Sequence, residues 1–170
     1  MTKSDLIVGL ELLGKKLQER DLEGEIILTG GASMCLVHDA RDMTKDIDAL
    51  YEPKSVINEI VEGIAMELGL PENWLNDSVK GFINENMESN FWGEYGALKV
   101  SSVTPEYLLA MKLMASRIEG QDYNDIKFLF EKLGIRTYKE AEDLLGKFYP
   151  IDLVLPKTKY VIEECLLGDK

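Results

Sequence analysis

Leu6, Leu10, Leu13 and Leu17 recur every three or four residues, the period of an amphipathic helix, and predict one over about residues 4–20. Gly24 ends that stretch. The apolar run Glu25-Ile26-Ile27-Leu28-Thr29 then stops at Gly30-Gly31 and reads as a buried strand, followed by a short helix from Ala32 to His38. Residues 39–45 are polar, and Asp46-Ile47-Asp48-Ala49-Leu50-Tyr51 alternates as a half-buried strand does. Pro53 opens a helix over roughly 54–69, with Val56, Ile60, Ile64 and Leu68 on one face and Gly69 at its end. Pro71 starts a further short helix, about 72–80.

Residues 81–95 have the weakest pattern and read as a loop or insertion, with Phe82, Phe91 and Trp92 among Asn, Glu and Gly. Ala97 to Ser101 reads as a third strand. Thr104-Pro105-Glu106 places a capping hydroxyl, a proline at the first helical position and an acid in the first turn, and predicts a helix to about Arg117. Further helices are expected at about 122–133, 137–148 and 157–167. This order predicts an α+β fold: a small mixed β-sheet with helices on it and a helical C-terminal part. One domain is expected over 1–170, with its core at about 20–135 and an extension at 136–170; no Pro/Gly/Ser linker marks a boundary.

The 170 residues carry 31 acidic against 19 basic side chains, a formal charge of −12. That balance argues against a duplex nucleic-acid surface or an anionic membrane, though not against a phosphate ligand in a local basic pocket. Two cysteines, Cys35 and Cys165, and one histidine, His38, exclude a disulfide framework, a cysteine-ligated zinc site and two-histidine motifs. The polar start and the short Leu6–Leu13 stretch give no signal or membrane-spanning segment, so a cytoplasmic protein is expected.

Two elements carry candidate chemistry. Thr29-Gly30-Gly31-Ala32-Ser33 joins a strand to a helix through two glycines, a turn that lets a phosphate approach the backbone and is also simply a good turn. Asp46 and Asp48 stand two apart on a strand, so both carboxylates face the same side. Carboxylates that close repel, and a cation between them keeps both ionised. Oxygen donors suit Mg²⁺ or Mn²⁺ shared with substrate phosphates; the alternative is a solvated sheet face.

Together, Gly30-Gly31-Ala32-Ser33 and Arg41-Asp42-Met43-Thr44-Lys45-Asp46-Ile47-Asp48 resemble the nucleotidyltransferase superfamily. More narrowly, they resemble small bacterial members similar to abortive-infection and toxin–antitoxin enzymes. Leu75-Asn76-Asp77-Ser78-Val79-Lys80-Gly81-Phe82, the run Leu109–Arg117 and Asp122-Tyr123-Asn124-Asp125-Ile126 extend the likeness over most of residues 20–135. The resemblance implies metal-dependent transfer of a nucleoside monophosphate from a nucleoside triphosphate to a hydroxyl on RNA, protein or a small molecule. It implies Asp46 and Asp48 as metal ligands for Mg²⁺ or Mn²⁺, with Gly30 and Gly31 as the phosphate turn and Ser33 as an added hydroxyl contact. Arg41, Thr44 and Lys45 lie in the loop entering the Asp-x-Asp strand, placed for triphosphate or for solvent.

Two departures stand out. Fourteen residues, 32–45, separate Gly31 from Asp46, more than is usual in the family, and the strand Ala97–Ser101 lacks the third carboxylate of many active members. Asp122, Asp125 or Glu94 could substitute, and the likeness to abortive-infection enzymes favours Asp122. Without a substitute, the chain reads as a non-catalytic nucleotide- or partner-binding protein, one half of a toxin–antitoxin pair. Lys112 stands on a helix apolar nearly all round, with Ser116 and Glu119 on its stripe and Arg117 on another. Its ammonium needs an anion: a nucleotide phosphate, Asp46 and Asp48, or an acid in an internal salt bridge. Asp122 also reads as a helix cap with Asp125 three residues on. Trp74, Phe91 and Trp92 read as core or lid packing, or as stacking surfaces for a base.

Overall fold

In the computed structural model the described residues are 1–115 and 120–167. They form two compact units: Met1–Ile83 with Ser89–Val103, and Asn84–Glu88 with Thr104–Lys170.

The first unit holds a mixed five-stranded sheet. Its strands are β1 (Gly24–Leu28), β2 (Ile47–Glu52), β3 (Leu75–Asn76), β4 (Ser89–Tyr95) and β5 (Leu98–Val103), in the order β3-β2-β1-β5-β4. β1 runs antiparallel to β2 and parallel to β5, β2 parallel to β3, and β4 antiparallel to β5. Helices α1 (Lys3–Gln18), α2 (Gly30–Leu36) and α3 (Lys54–Leu68) belong to the same unit.

One face of the sheet is apolar because alternate residues share a side. Ile26, Leu28, Ala49, Leu98 and Val100 lie on it, fully or almost fully buried, in one cluster with the α1 leucines and with Ile57, Ile60 and Ile64 of α3. A Cβ at Gly24 would meet Leu17, Leu98 and Ile57, which puts both helices over this face. Thr2 starts α1 with a reciprocal capping box to Asp5, which holds the Asp5 carboxyl below its usual range.

Two expectations are corrected. The helix expected at 72–80 is instead the two-residue strand β3 and a 3-10 turn at Ser78–Phe82. Trp74 decides this: it is fully buried, donates Nε1 to the Val61 carbonyl at 3.2 Å and offers its own carbonyl to the Ile47 N–H at 2.7 Å, which draws the next residues into the sheet. The stretch 81–95, expected as a loop, contains β4. This is an edge strand with Phe91 64% exposed and no apolar stripe, so alternation could not reveal it. A two-residue turn at Gly96-Ala97 joins it to β5, with Gly96 at φ +57 as tight hairpins require.

The second unit holds α4 (Pro105–Ala115), α5 (Gln121–Leu133), α6 (Tyr138–Phe148) and α7 (Pro156–Leu167). The Thr104 hydroxyl caps α4 by accepting the Tyr107 N–H at 3.2 Å, as its sequence implied. The helix expected to reach Arg117 is described to Ala115; Ser116, Arg117 and Glu119 lie outside the described residues. The segment 84–88 joins this unit through Asn84 and Asn86, whose amides donate to the Phe148 carbonyl at 2.9 and 3.2 Å. Tyr107 meets Phe148 edge-on and stacks on Tyr149, whose phenol is pushed far above its usual range by burial and by its bond to Tyr107. Among the described residues no helix is long and apolar enough to cross a membrane.

Two glycines test this packing with opposite signs. A Cβ at Gly14 of α1 would collide with the Tyr95 backbone carbonyl, which cannot swing aside. Gly14→Ala is therefore expected to destabilise by about 3 kcal/mol in urea unfolding. Gly63 of α3 faces open space, and Gly63→Ala is expected to stabilise by up to ~1 kcal/mol through helix propensity alone. A neutral Gly14→Ala would refute the close approach of α1 to the hairpin.

Candidate nucleotide and metal site

The site is built where β1 ends. Thr29 gives both its N–H and its hydroxyl to the Asp48 carbonyl, at 2.9 and 2.8 Å. These bonds fix the glycine turn to β2 at the position of the second aspartate. Gly30 takes φ +52, a conformation glycine adopts without a Cβ penalty. A Cβ there would also lie 3.3 Å from Asp48 Oδ2, so the carboxylate sits against the turn.

Gly31 is bounded by the loop that precedes β2. A Cβ on it would stand 2.5 Å from the Thr44 hydroxyl and 2.8 Å from Arg41 Nη1. Thr44 is buried; its hydroxyl also reaches the Asp46 carbonyl at 3.3 Å, and its N–H donates to the Met1 carbonyl at 3.0 Å. A guanidinium and a hydroxyl therefore lie against one glycine, and a carboxylate against the next. Lys45, in the same loop, is exposed.

Asp46 stands one residue before β2 as the structure bounds it. β3 supplies its neighbour: Asn76 is the register partner of Asp48, and its amide Nδ2 lies 3.5 Å from Asp46 Oδ2. Cross-strand partners share a face, so Asp46, Asp48 and Asn76 are on one side of the sheet. In the sequence Asn76 belongs only to a run that resembles the superfamily, and nothing there marks it out. Its signal lay in register, which a two-residue strand conceals.

The remaining candidates fall elsewhere. Ser33 is fully buried, and its hydroxyl pairs with that of Ser102 on β5 at 2.7 Å. Glu94 is across from Lys99, which is level with Glu25 and so with Glu52. That is four residues from Asp48, roughly 13 Å along the strands and three strands over, too far to complete a site at Asp48. β5 carries no acid at any position. Trp74 is core, and Trp92 packs with Tyr95 at 6.0 Å between ring centres.

In the second unit, Lys112 is 7% exposed and its ammonium is held by Asp122 at 2.9 Å and Asp125 at 2.6 Å. The anion that its apolar helix demanded is thus supplied by two acids of α5, Asp125 being almost fully buried. Neither acid caps the helix: α5 begins after Gly120, which takes the cap position, and both aspartates lie inside. The spacing of three puts them on one helical face, which is how both reach one ammonium.

Among the described residues no group of three or more His, Cys, Asp or Glu side chains is placed to hold a metal. Two carboxylates nevertheless suit Mg²⁺, which keeps waters and shares its shell with substrate phosphates rather than demanding an all-protein cage. The donor set of Asp46 and Asp48 fits such an ion and does not fit a closed structural site.

Residues 7–133 match the model of a family described as nucleotidyltransferase of unknown function (DUF6036), and the chain belongs to that family. The match runs from α1 to the end of α5 and includes the glycine turn, both aspartates, Asn76, Lys112 and Asp122. No curated protein and no solved structure matches the chain.

Two mutational tests separate scaffold from site. Ser102→Ala strands the buried Ser33 hydroxyl and is expected to cost about 1–2 kcal/mol, and Ser33→Ala, which leaves Ser102 its bond to the Val103 carbonyl, somewhat less. The double variant should cost clearly less than the sum, with nucleotide affinity unchanged; a selective loss of nucleotide affinity would return Ser33 to the site. Lys112→Met removes the ammonium facing buried Asp125 and is expected to destabilise by about 3 kcal/mol. Lys112→Met/Asp125→Leu should recover most of that loss by thermal or urea unfolding. A single variant as stable as the parent would show that the pair contributes nothing.

Proposed function

We propose that the chain moves a nucleoside monophosphate from a nucleoside triphosphate to a hydroxyl acceptor, with Mg²⁺ or Mn²⁺ held by Asp46 and Asp48. The observation that carries this reading is the contact of Asp48 with Gly30 and of Arg41 and Thr44 with Gly31. Carboxylate donors and phosphate-seeking donors meet there on two adjacent residues without side chains.

Each part has a physical task. Absence of a Cβ at Gly30 and Gly31 lets Asp48, Arg41 and Thr44 close on the backbone, so that phosphate oxygens bound there would meet all three. Arg41 offers several N–H donors to those oxygens, Thr44 a hydroxyl, and Lys45 a further positive charge. When bound, the cation neutralises the triphosphate and eases departure of pyrophosphate. The acceptor oxygen bonds to the α-phosphorus, the bond to pyrophosphate breaks, and the acceptor proton passes to a base. Lys112 and Asp122, expected as catalytic residues, are bonded to each other in the second unit and are assigned no step. The acceptor is RNA, a protein side chain or a small molecule; the −12 charge disfavours tight binding of a large RNA.

A second reading rests on the missing acid of β5: the same site binds a nucleotide, or the chain binds a protein partner as half of a toxin–antitoxin pair, without turnover. Release of pyrophosphate from labelled triphosphates, tried with each acceptor class, separates the two.

The metal claim is tested by calorimetry with Mn²⁺ and α,β-methylene triphosphates. Asp46→Asn/Asp48→Asn is expected to abolish binding while the circular dichroism spectrum stays unchanged; unchanged binding removes the metal. For the glycine turn, Gly31→Ala pushes on the end of Arg41 and on the hydroxyl and Cβ of buried Thr44. It is expected to lower nucleotide affinity about tenfold, ~1.4 kcal/mol, with a smaller change in unfolding free energy. A loss of stability alone would make the glycine a structural turn.

A further inference from the structure

We propose that Asn76 is a positioning residue for Asp46, orienting its carboxylate toward the cation; this rests on the reading of Asp46 and Asp48 as metal ligands. The argument begins with the amide's orientation. Asn76 Oδ1 accepts the Ser78 N–H at 3.0 Å and also contacts the Ser78 hydroxyl. A backbone N–H only donates, so the oxygen must face Ser78 and the NH₂ must face the other way. That NH₂ lies between two acceptors, the Asn73 carbonyl at 3.4 Å and Asp46 Oδ2 at 3.5 Å. The turn after β3 therefore fixes a neutral donor beside one oxygen of Asp46.

Register makes this arrangement specific. Parallel pairing sets Asn76 opposite Asp48, and its side chain reaches Asp46 on the same face. The Ile47 N–H holds the Trp74 carbonyl at 2.7 Å, so β3 cannot slip against the Asp-x-Asp segment without breaking that bond. Asp46 lies just outside β2 and lacks a full ladder on its own backbone, so its carboxylate needs an external hold. A neutral amide supplies one. Another acid in that place would add repulsion, and a lysine would compete with the cation for the carboxylates. With Oδ2 of Asp46 beside the Asn76 amide at 3.5 Å, Oδ1 is the oxygen that would be offered to an ion. Outer partners of this kind typically change metal affinity severalfold or more.

The test separates the donor role of Asn76 from its turn role. Asn76→Ser keeps an acceptor for the Ser78 N–H but cannot carry a donor to Asp46. Two affinities are measured by titration: that of an α,β-methylene triphosphate without metal, and that of Mn²⁺ at saturating analogue. Asn76→Ser is expected to weaken Mn²⁺ binding about three- to tenfold while metal-free nucleotide affinity stays within twofold. Loss of both together, or of neither, overturns the proposal. Should serine fail to hold the turn, seen as a fall in melting temperature, Asn76→Thr replaces it in the same pair of measurements. Absence of Mn²⁺ binding in the unmodified chain is a different failure, which removes the metal reading beneath the proposal and the proposal with it.

Discussion

The paired bonds from Thr29 to the Asp48 carbonyl are the constraint on which the candidate site depends. They join the end of β1 to β2 at the residue where the chain needs a carboxylate next to a glycine. Antiparallel pairing of β1 with β2 brings the two segments side by side, although nineteen positions separate Thr29 from Asp48. Thr29 is fully buried, so its hydroxyl has no competing water and holds its acceptor firmly. Everything else at the site is placed relative to this join: Gly30 under Asp48, Gly31 under Arg41 and Thr44, and Asn76 across from Asp48 on the next strand.

The sheet divides scaffold from chemistry by face. Ile26, Leu28, Ala49 and Val100 turn toward α1 and α3, while Asp48 and its neighbours turn the other way. Ser33 illustrates the division: two positions beyond the glycine turn it has already entered the core and bonds to Ser102. The loop before β2 is held through Thr44 to the first residue of the chain and through the Lys3–Asp39 ion pair at 2.8 Å. That surface pair contributes little stability by itself, yet it shares the tie between α1 and the loop carrying Arg41.

Much of this was legible in the sequence because two local rules were strong there. Strands β1 and β2 are marked by bounding glycines or by alternation, and i, i+2 geometry alone puts both aspartates on one side. The first helix of the second unit carried a clear cap at Thr104. What stayed hidden depends on partners distant in sequence. β4 is an edge strand whose exposed Phe91 and Glu94 erase the alternation, and β3 is too short to have a period. Asn76 has meaning only through its pairing with Asp48. For Lys112 the helical wheel established the need for an anion but not its identity. Asp122 and Asp125 resembled a cap, and their shared helical face was the overlooked clue. Membership of a nucleotidyltransferase family agrees with the resemblance carried by the glycine turn and the Asp-x-Asp strand. The lack of a carboxylate on β5 distinguishes this chain from many active relatives of the superfamily it resembles.

The most direct measurement is anomalous diffraction from crystals grown with Mn²⁺ and an α,β-methylene triphosphate. The expected result is a manganese peak bonded to oxygens of Asp46 and Asp48, with phosphate density running from it to Gly30 and Gly31 and within reach of Arg41. Manganese bound elsewhere, or a triphosphate that avoids the glycine turn, would contradict the assignment of this site.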